Sequence, residues 1–218
     1  MKPQLQSLVR INVGEVTLDG DLTLPKETEG IVLFAHGSGS SRLSPRNRYV
    51  AKELNKAGLG TLLMDLLTAR EEALDVQGQF RFNIDLLANR LAGATMWIKK
   101  EPTTQSLLIG YFGASTGAAA ALVAAAKLVG EVHAVVSRGG RPDLAMKYLP
   151  KVKAATLLIV GGADDMVIGM NEEAFANLVV EKKLEIVPGA THLFEEPGTL
   201  ETVAKLAAEW FSRYLRRR

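Results

Sequence analysis

A serine between two glycines is the first place in this chain where residue type and spacing could do chemistry. Gly113-Ala114-Ser115-Thr116-Gly117 follows the apolar run Ser106–Tyr111 and opens the alanine-rich stretch Thr116–Val129. A strand that enters a helix through so tight a turn pushes the serine hydroxyl clear of the backbone, and the glycines relieve crowding there. The helix start supplies free N–H groups and the positive end of a dipole. Ser115 is therefore a candidate nucleophile, and the Thr116 N–H a candidate donor to an oxyanion. A turn of small residues that merely packs a helix close to a sheet is the plainer reading of the same pentapeptide. Gly110, Gly113 and Gly117 could also cradle a pyrophosphate, but the G-x-G-x-x-G spacing is broken and the loop lies mid-chain.

Two more loops carry polar groups of the right kind. His36-Gly37-Ser38-Gly39-Ser40-Ser41 follows the apolar run Ile31–Ala35. It can turn a backbone N–H, that of Ser38, toward the serine, forming an oxyanion hole with Thr116. His36 itself reads as structural. The third element is an acid and a base in order. Thr156–Val160 runs into Gly161-Gly162-Ala163-Asp164-Asp165, and Leu184–Val187 runs into Pro188-Gly189-Ala190-Thr191-His192. His192 would take the Ser115 proton and Asp164 would fix its tautomer. Asp164 is preferred to Asp165 because it completes a G-x-x-D-x-x-V pattern. His36, His133 and His192 lack the close spacing of a zinc site, and no metal or other cofactor is expected.

These loops need a frame that brings them together. Short apolar runs alternate with amphipathic stretches along the chain. Strands are expected at Leu8–Val13, Glu15–Leu24, Ile31–Ala35, Gly60–Met64, Ser106–Tyr111, Val132–Ser137, Thr156–Val160 and Leu184–Val187. Helices are expected near Arg46–Ala57, Arg81–Lys100, Thr116–Val129, Asn171–Val179 and Pro197–Leu215. Strand then helix, repeated, argues an α/β fold: a mostly parallel sheet of about eight strands, with helices on both faces and the first two strands as an antiparallel edge. In such a sheet, ligands bind beyond the carboxyl ends of the strands, where Ser115, Asp164 and His192 all fall.

Composition narrows the classes further. The 218 residues are 47% hydrophobic and 23% charged, ordinary for a globular chain and unlike a disordered one. One domain over 1–218 is expected. Lys+Arg 26 against Asp+Glu 24 leaves +2, with no basic patch for a nucleic acid. The run Arg216-Arg217-Arg218 reads as a solvated helix end. With no cysteine, a disulfide scaffold and a thiol nucleophile are both excluded. Neither the first ten residues nor the apolar stretch Ala118–Val129 suits a signal peptide or a bilayer span, so a cytoplasmic protein without membrane partners is expected.

Taken together, the chain resembles the α/β-hydrolases of the dienelactone hydrolase superfamily, in particular the small hydrolases sometimes found fused to phosphoribosyltransferases. The residues that carry the likeness are Phe34-Ala35-His36-Gly37-Ser38-Gly39, Arg81-Phe82-Asn83-Ile84, Gly113-Ala114-Ser115-Thr116-Gly117, Ser137-Arg138-Gly139-Gly140-Arg141-Pro142 and Gly189-Ala190-Thr191-His192-Leu193-Phe194. The chain order Ser, Asp, His is also that of the α/β-hydrolases. True dienelactone hydrolases carry a cysteine at the position of Ser115 and bind the substrate carboxylate through arginines, one close after the histidine. Here Leu193-Phe194-Glu195-Glu196 follows, which is expected to repel an anion. A serine esterase is the better inference than dienelactone cleavage.

The resemblance implies hydrolysis of small or aryl carboxylic esters through an acyl-enzyme. Positions 138–155 are too few for a substantial cap, which suits short substrates. Leu66, Met166, Leu193 and Phe194 could wall the pocket. Arg138 and Arg141 could contact an acidic substrate, or pair with Asp143, Asp164 or Glu195 to stiffen a loop. Acyl transfer or perhydrolysis by the same three residues is an alternative, as is a small-molecule-binding protein that keeps the fold without turnover. The surface could also carry a homodimer patch, which no periodicity argument would show.

Overall fold

The computed structural model describes residues 5–216. Eight strands form one sheet: β1 (Leu5–Val13), β2 (Val16–Leu24), β3 (Gly30–Ala35), β4 (Gly60–Met64), β5 (Leu108–Ala114), β6 (Val132–Arg138), β7 (Ala155–Gly161) and β8 (Lys182–Val187). Their spatial order is β1-β2-β4-β3-β5-β6-β7-β8. β1 pairs antiparallel with β2, and β2 antiparallel with β4; every other pairing is parallel. The central strands β3, β4 and β7 are buried along their whole length, which explains their unbroken apolar sequences.

Six helices and a 3₁₀ segment cover the sheet: α1 (Pro45–Lys56), α2 (Ala69–Leu74), α3 (Ile84–Ile98), α4 (Thr116–Lys127), the 3₁₀ segment Pro142–Lys151, α5 (Asp165–Asn177) and α6 (Thr199–Tyr214). Two apolar clusters lie on opposite sides. Leu87, Leu91, Leu122, Val123 and Leu149 gather α3, α4 and the 3₁₀ segment on one face. Val50, Leu54, Val203, Ala207 and Phe211 bring α1 and α6 onto the other. α4 is alanine-rich because it is buried all round, from Thr116 to Ala126. Small side chains let its axis approach both the sheet and α3.

β3 lies between β4 and β5, and the chain leaves β3 toward α1 on one face but leaves β5 toward α4 on the other. This reversal opens a crevice at the carboxyl ends of β3 and β5, the place where open α/β sheets hold ligands. The connection from β6 to β7 contains only the 3₁₀ segment, so no cap covers the crevice from that side. Among the described residues no helix is long and apolar enough to cross a membrane. The arginine run expected at the C-terminus is exposed at Arg216, while Arg217 and Arg218 lie outside the described residues.

The differences from the expected elements are local. β5 runs three residues beyond Tyr111, because Gly110 and Gly113 pair with Val32 and Ala35 of β3 rather than breaking the strand. α5 starts at Asp165 rather than Asn171, directly after the Gly161-Gly162 turn. α2 was not expected; it is a six-residue helix held by a capping box between Thr68 and Glu71.

Candidate active site

Ser115 sits where β5 turns into α4, with φ 51° and ψ −122°. A positive φ is unfavourable for a residue with a Cβ, and the surrounding backbone enforces it. The Ser115 N–H donates to the Arg138 carbonyl at 3.3 Å, and its own carbonyl accepts from the N–H of Ala118 and of Arg141, each at 3.1 Å. The flanking glycines are required by close approach. A Cβ on Gly113 would stand 2.4 Å from Ala118 Cα, and one on Gly117 would stand 2.2 Å from the Ala35 carbonyl oxygen.

The acid and the base meet 28 residues apart in sequence. His192 Nδ1 lies 2.8 Å from Asp164 Oδ2, so with an ionised Asp164 the proton belongs on Nδ1 and Nε2 is left as the acceptor. Ser115 and His192 line one cavity of about 250 Å³, together with Gly37, Ser38, Ser40, Ser44, Arg46, Asn47, Arg138 and Leu193. No hydrogen bond joins the Ser115 hydroxyl to His192.

The two expected oxyanion donors differ in state. The Thr116 N–H has no protein partner among the described residues, as the helix start requires. The Ser38 N–H donates to Thr116 Oγ1 at 2.9 Å, so that donor is engaged. His36 is structural, as its sequence position suggests: the Leu66 N–H donates to its Nε2 at 3.1 Å, and Nδ1 lies 3.0 Å from the Gly37 carbonyl. These contacts select the neutral ring with the proton on Nδ1, and burial pushes its pKa below the ordinary value.

Of the four expected walls, Leu193 lines the cavity and the other three do not. Leu66 is fully buried in the core, because its backbone rather than its side chain serves the loop. Leu67 instead lines a neighbouring cavity of about 460 Å³ that shares Gly37, Ser38, Ser40 and Ser44. Met166 is 74% exposed in the first turn of α5 and lines neither cavity. Phe194 is buried, with the Arg138 guanidinium 5.9 Å from its ring.

The two arginines separate. Arg141 forms a bidentate pair with Asp143, at 2.9 and 2.8 Å, and stiffens its own loop. The Arg138 guanidinium has no carboxylate partner among the described residues; its one hydrogen bond there is a long one, 3.5 Å, to the Leu193 carbonyl. Burial, and the neighbouring charge of Arg46, push its pKa down to about 10. Glu195 and Glu196, expected to repel an anion, are both engaged outside the cavity wall. Glu196 accepts from the Thr191 hydroxyl and N–H, Glu195 pairs with Arg46 at 2.8 Å, and neither lines the cavity. Arg46 and Asn47 escaped the sequence reading because a helix start carries no signal of what it faces; Ser44-Pro45, an N-cap before proline, marks the start itself.

The sequence profile of the dienelactone hydrolase family matches residues 18–216. The chain belongs to the dienelactone hydrolase family. A dienelactone hydrolase from Anabaena variabilis superposes with a TM-score of 0.96 at 61% identity, over 98% of this chain and 99% of that one. The esterase Est1E from Butyrivibrio proteoclasticus shares the fold at 16% identity and a TM-score of 0.80, covering 94% of this chain and 98% of its own. Two Mycobacterium tuberculosis proteins named as phosphoribosyl transferases are 58% identical over 207 residues. That stretch is 95% of this chain but 46% of theirs, so this family member spans about half the length of those relatives.

Proposed function

We propose that this hydrolase is a serine esterase acting on small or aryl carboxylic esters. The observation that carries the reading is the 2.8 Å contact of His192 with Asp164, beside a cavity that His192 shares with a backbone-strained Ser115. In the proposed cycle, Ser115 Oγ attacks the ester carbonyl and His192 Nε2 takes its proton. The oxyanion is held by the Thr116 N–H and, once Thr116 Oγ1 rotates away, by the Ser38 N–H. Collapse expels the alcohol, which takes the proton from His192, and leaves an acyl-enzyme. Water, deprotonated by His192, then attacks the acyl carbon and releases the acid with Ser115 restored. Asp164 holds the ring and stabilises the imidazolium in both halves.

The high identity to the Anabaena enzyme supports hydrolysis. The transferase name of the M. tuberculosis relatives describes chains of which this one spans less than half, and is not carried over. A cytoplasmic setting fits a chain without cysteine.

The test is reaction with a fluorophosphonate probe followed by peptide mass spectrometry, beside turnover of p-nitrophenyl acetate. Labelling confined to Ser115, with turnover lost in Ser115→Ala, is the expected result. Unlabelled, inactive protein that retains its native circular dichroism would overturn the esterase reading and leave a binding protein.

A further inference from the structure

Three side chains in the wall of the Ser115 cavity each carry one buried polar atom that has no partner among the described residues. Arg138 is 6% exposed, and its Nε has no acceptor. Asn47 is 2% exposed, and its side-chain oxygen Oδ1 accepts no hydrogen bond. Arg46 gives one Nη to Glu195 from outside, yet its Nε is buried and unpaired. Two guanidinium groups thus come close with no carboxylate among the residues that line the cavity. Arg46 has Glu195 as its counterion, but Arg138 is a buried cation without one, which is costly, and an unpaired buried amide adds to that cost. An anionic ligand would supply the acceptors that the Arg46 and Arg138 Nε–H groups lack, and a protonated phosphate oxygen could also donate to Asn47 Oδ1.

We propose that this cavity holds a tetrahedral oxyanion, a phosphate monoester carried by the ester substrate, between Arg138 on one side and Arg46 and Asn47 on the other. The shape of the site decides between anions. Arg138 comes from the end of β6, and Arg46 and Asn47 come from the first turn of α1, so the donors approach from different elements. A planar carboxylate satisfies one guanidinium fork. A phosphate directs its oxygens outward to several sides and can meet all three residues. The start of α1, a twelve-residue helix capped by Ser44, adds its positive end, and Ser40 and Ser44 add hydroxyl groups to the lining. The phosphate is the handle; the bond broken is the carboxylic ester at Ser115. Only that last statement rests on the esterase reading.

The experiment uses the full chain and two readouts. Inorganic phosphate is titrated against thermal unfolding and against p-nitrophenyl acetate turnover, with sodium chloride and acetate at matched ionic strength. Phosphate is expected to raise the melting temperature and inhibit competitively, and Arg138→Lys or Arg138→Gln to weaken it by about tenfold or more. The acetyl ester of glycerol phosphate is then compared with acetyl glycerol. Wild type should favour the phosphorylated ester by about tenfold in kcat/KM, a ratio that Arg138→Gln reduces to about one. Should that variant fail to fold, Arg46→Gln and Arg138→Lys report the same ratio. Phosphate no better than chloride, acetate as good as phosphate, or an unchanged ratio would each overturn the proposal. Phosphate stabilisation that depends on Arg138 in a protein with no ester turnover would keep the anion site and sink the esterase reading.

Discussion

At Ser115 the backbone itself is part of the chemistry. A residue with a Cβ held at φ 51° costs about 1–3 kcal/mol, and glycine would not incur that cost. Ser115→Gly and Ser115→Ala should both abolish ester turnover, but the glycine variant should be more stable than the alanine by about 1 kcal/mol. Paired thermal melts measure that difference, and equal stabilities would mean the turn is relaxed. His36 makes a second prediction. Its folded pKa is depressed by burial, so the unfolded chain binds more protons below about pH 6.5. The stability it contributes is complete above that pH and is lost as pH falls toward the folded value. His36→Asn should flatten the fall in melting temperature between pH 7.5 and 5.5. The same variant should lower stability at pH 7.5 by roughly 1–3 kcal/mol, since the Leu66 N–H loses its acceptor.

Between elements, the close docking of α4 onto β3 is what aims the serine. Gly117 is the contact point, with room for a hydrogen but not for a methyl group against the Ala35 and His36 carbonyls. Gly117→Ala should cost about 3 kcal/mol and push the α4 start away from the 36–44 loop. Turnover should fall even at temperatures where the fold survives, because Ser38 and Thr116 would no longer converge; unchanged turnover would show that the contact is not needed. The strands and helices themselves were largely readable, because an apolar run or a helical periodicity is a local property. β5 was misplaced by its glycines, whose lack of side chains hides strand pairing. α2 was missed because six residues are too few for periodicity to show.

For the whole molecule, the reversal of chain direction at β3 and β5 opens the crevice, and the short β6–β7 connection leaves it uncapped. A cavity of about 250 Å³ beside Ser115 accommodates a short acyl group. Activity on p-nitrophenyl esters should therefore fall by about tenfold or more in kcat/KM between the butyrate and the decanoate. A flat or rising profile would mean that the acyl chain extends into the neighbouring cavity of about 460 Å³ instead.

The positions of Ser115, Asp164 and His192 past three strand ends were open to inference from the chain alone. Each depends on a strand, a turn and one side chain that are contiguous in sequence. Partner choice was not, because it depends on which side chains arrive from distant elements. Ser38 and Thr116 are 78 residues apart, and nothing local says that one hydroxyl engages the other's N–H. Arg141 finds Asp143 two residues away, an outcome the sequence allowed; Arg138 reaches only the Leu193 carbonyl and faces Arg46. Met166 turns to solvent and Leu66 inward for the same reason: side-chain direction at a helix start or loop follows from how the elements pack.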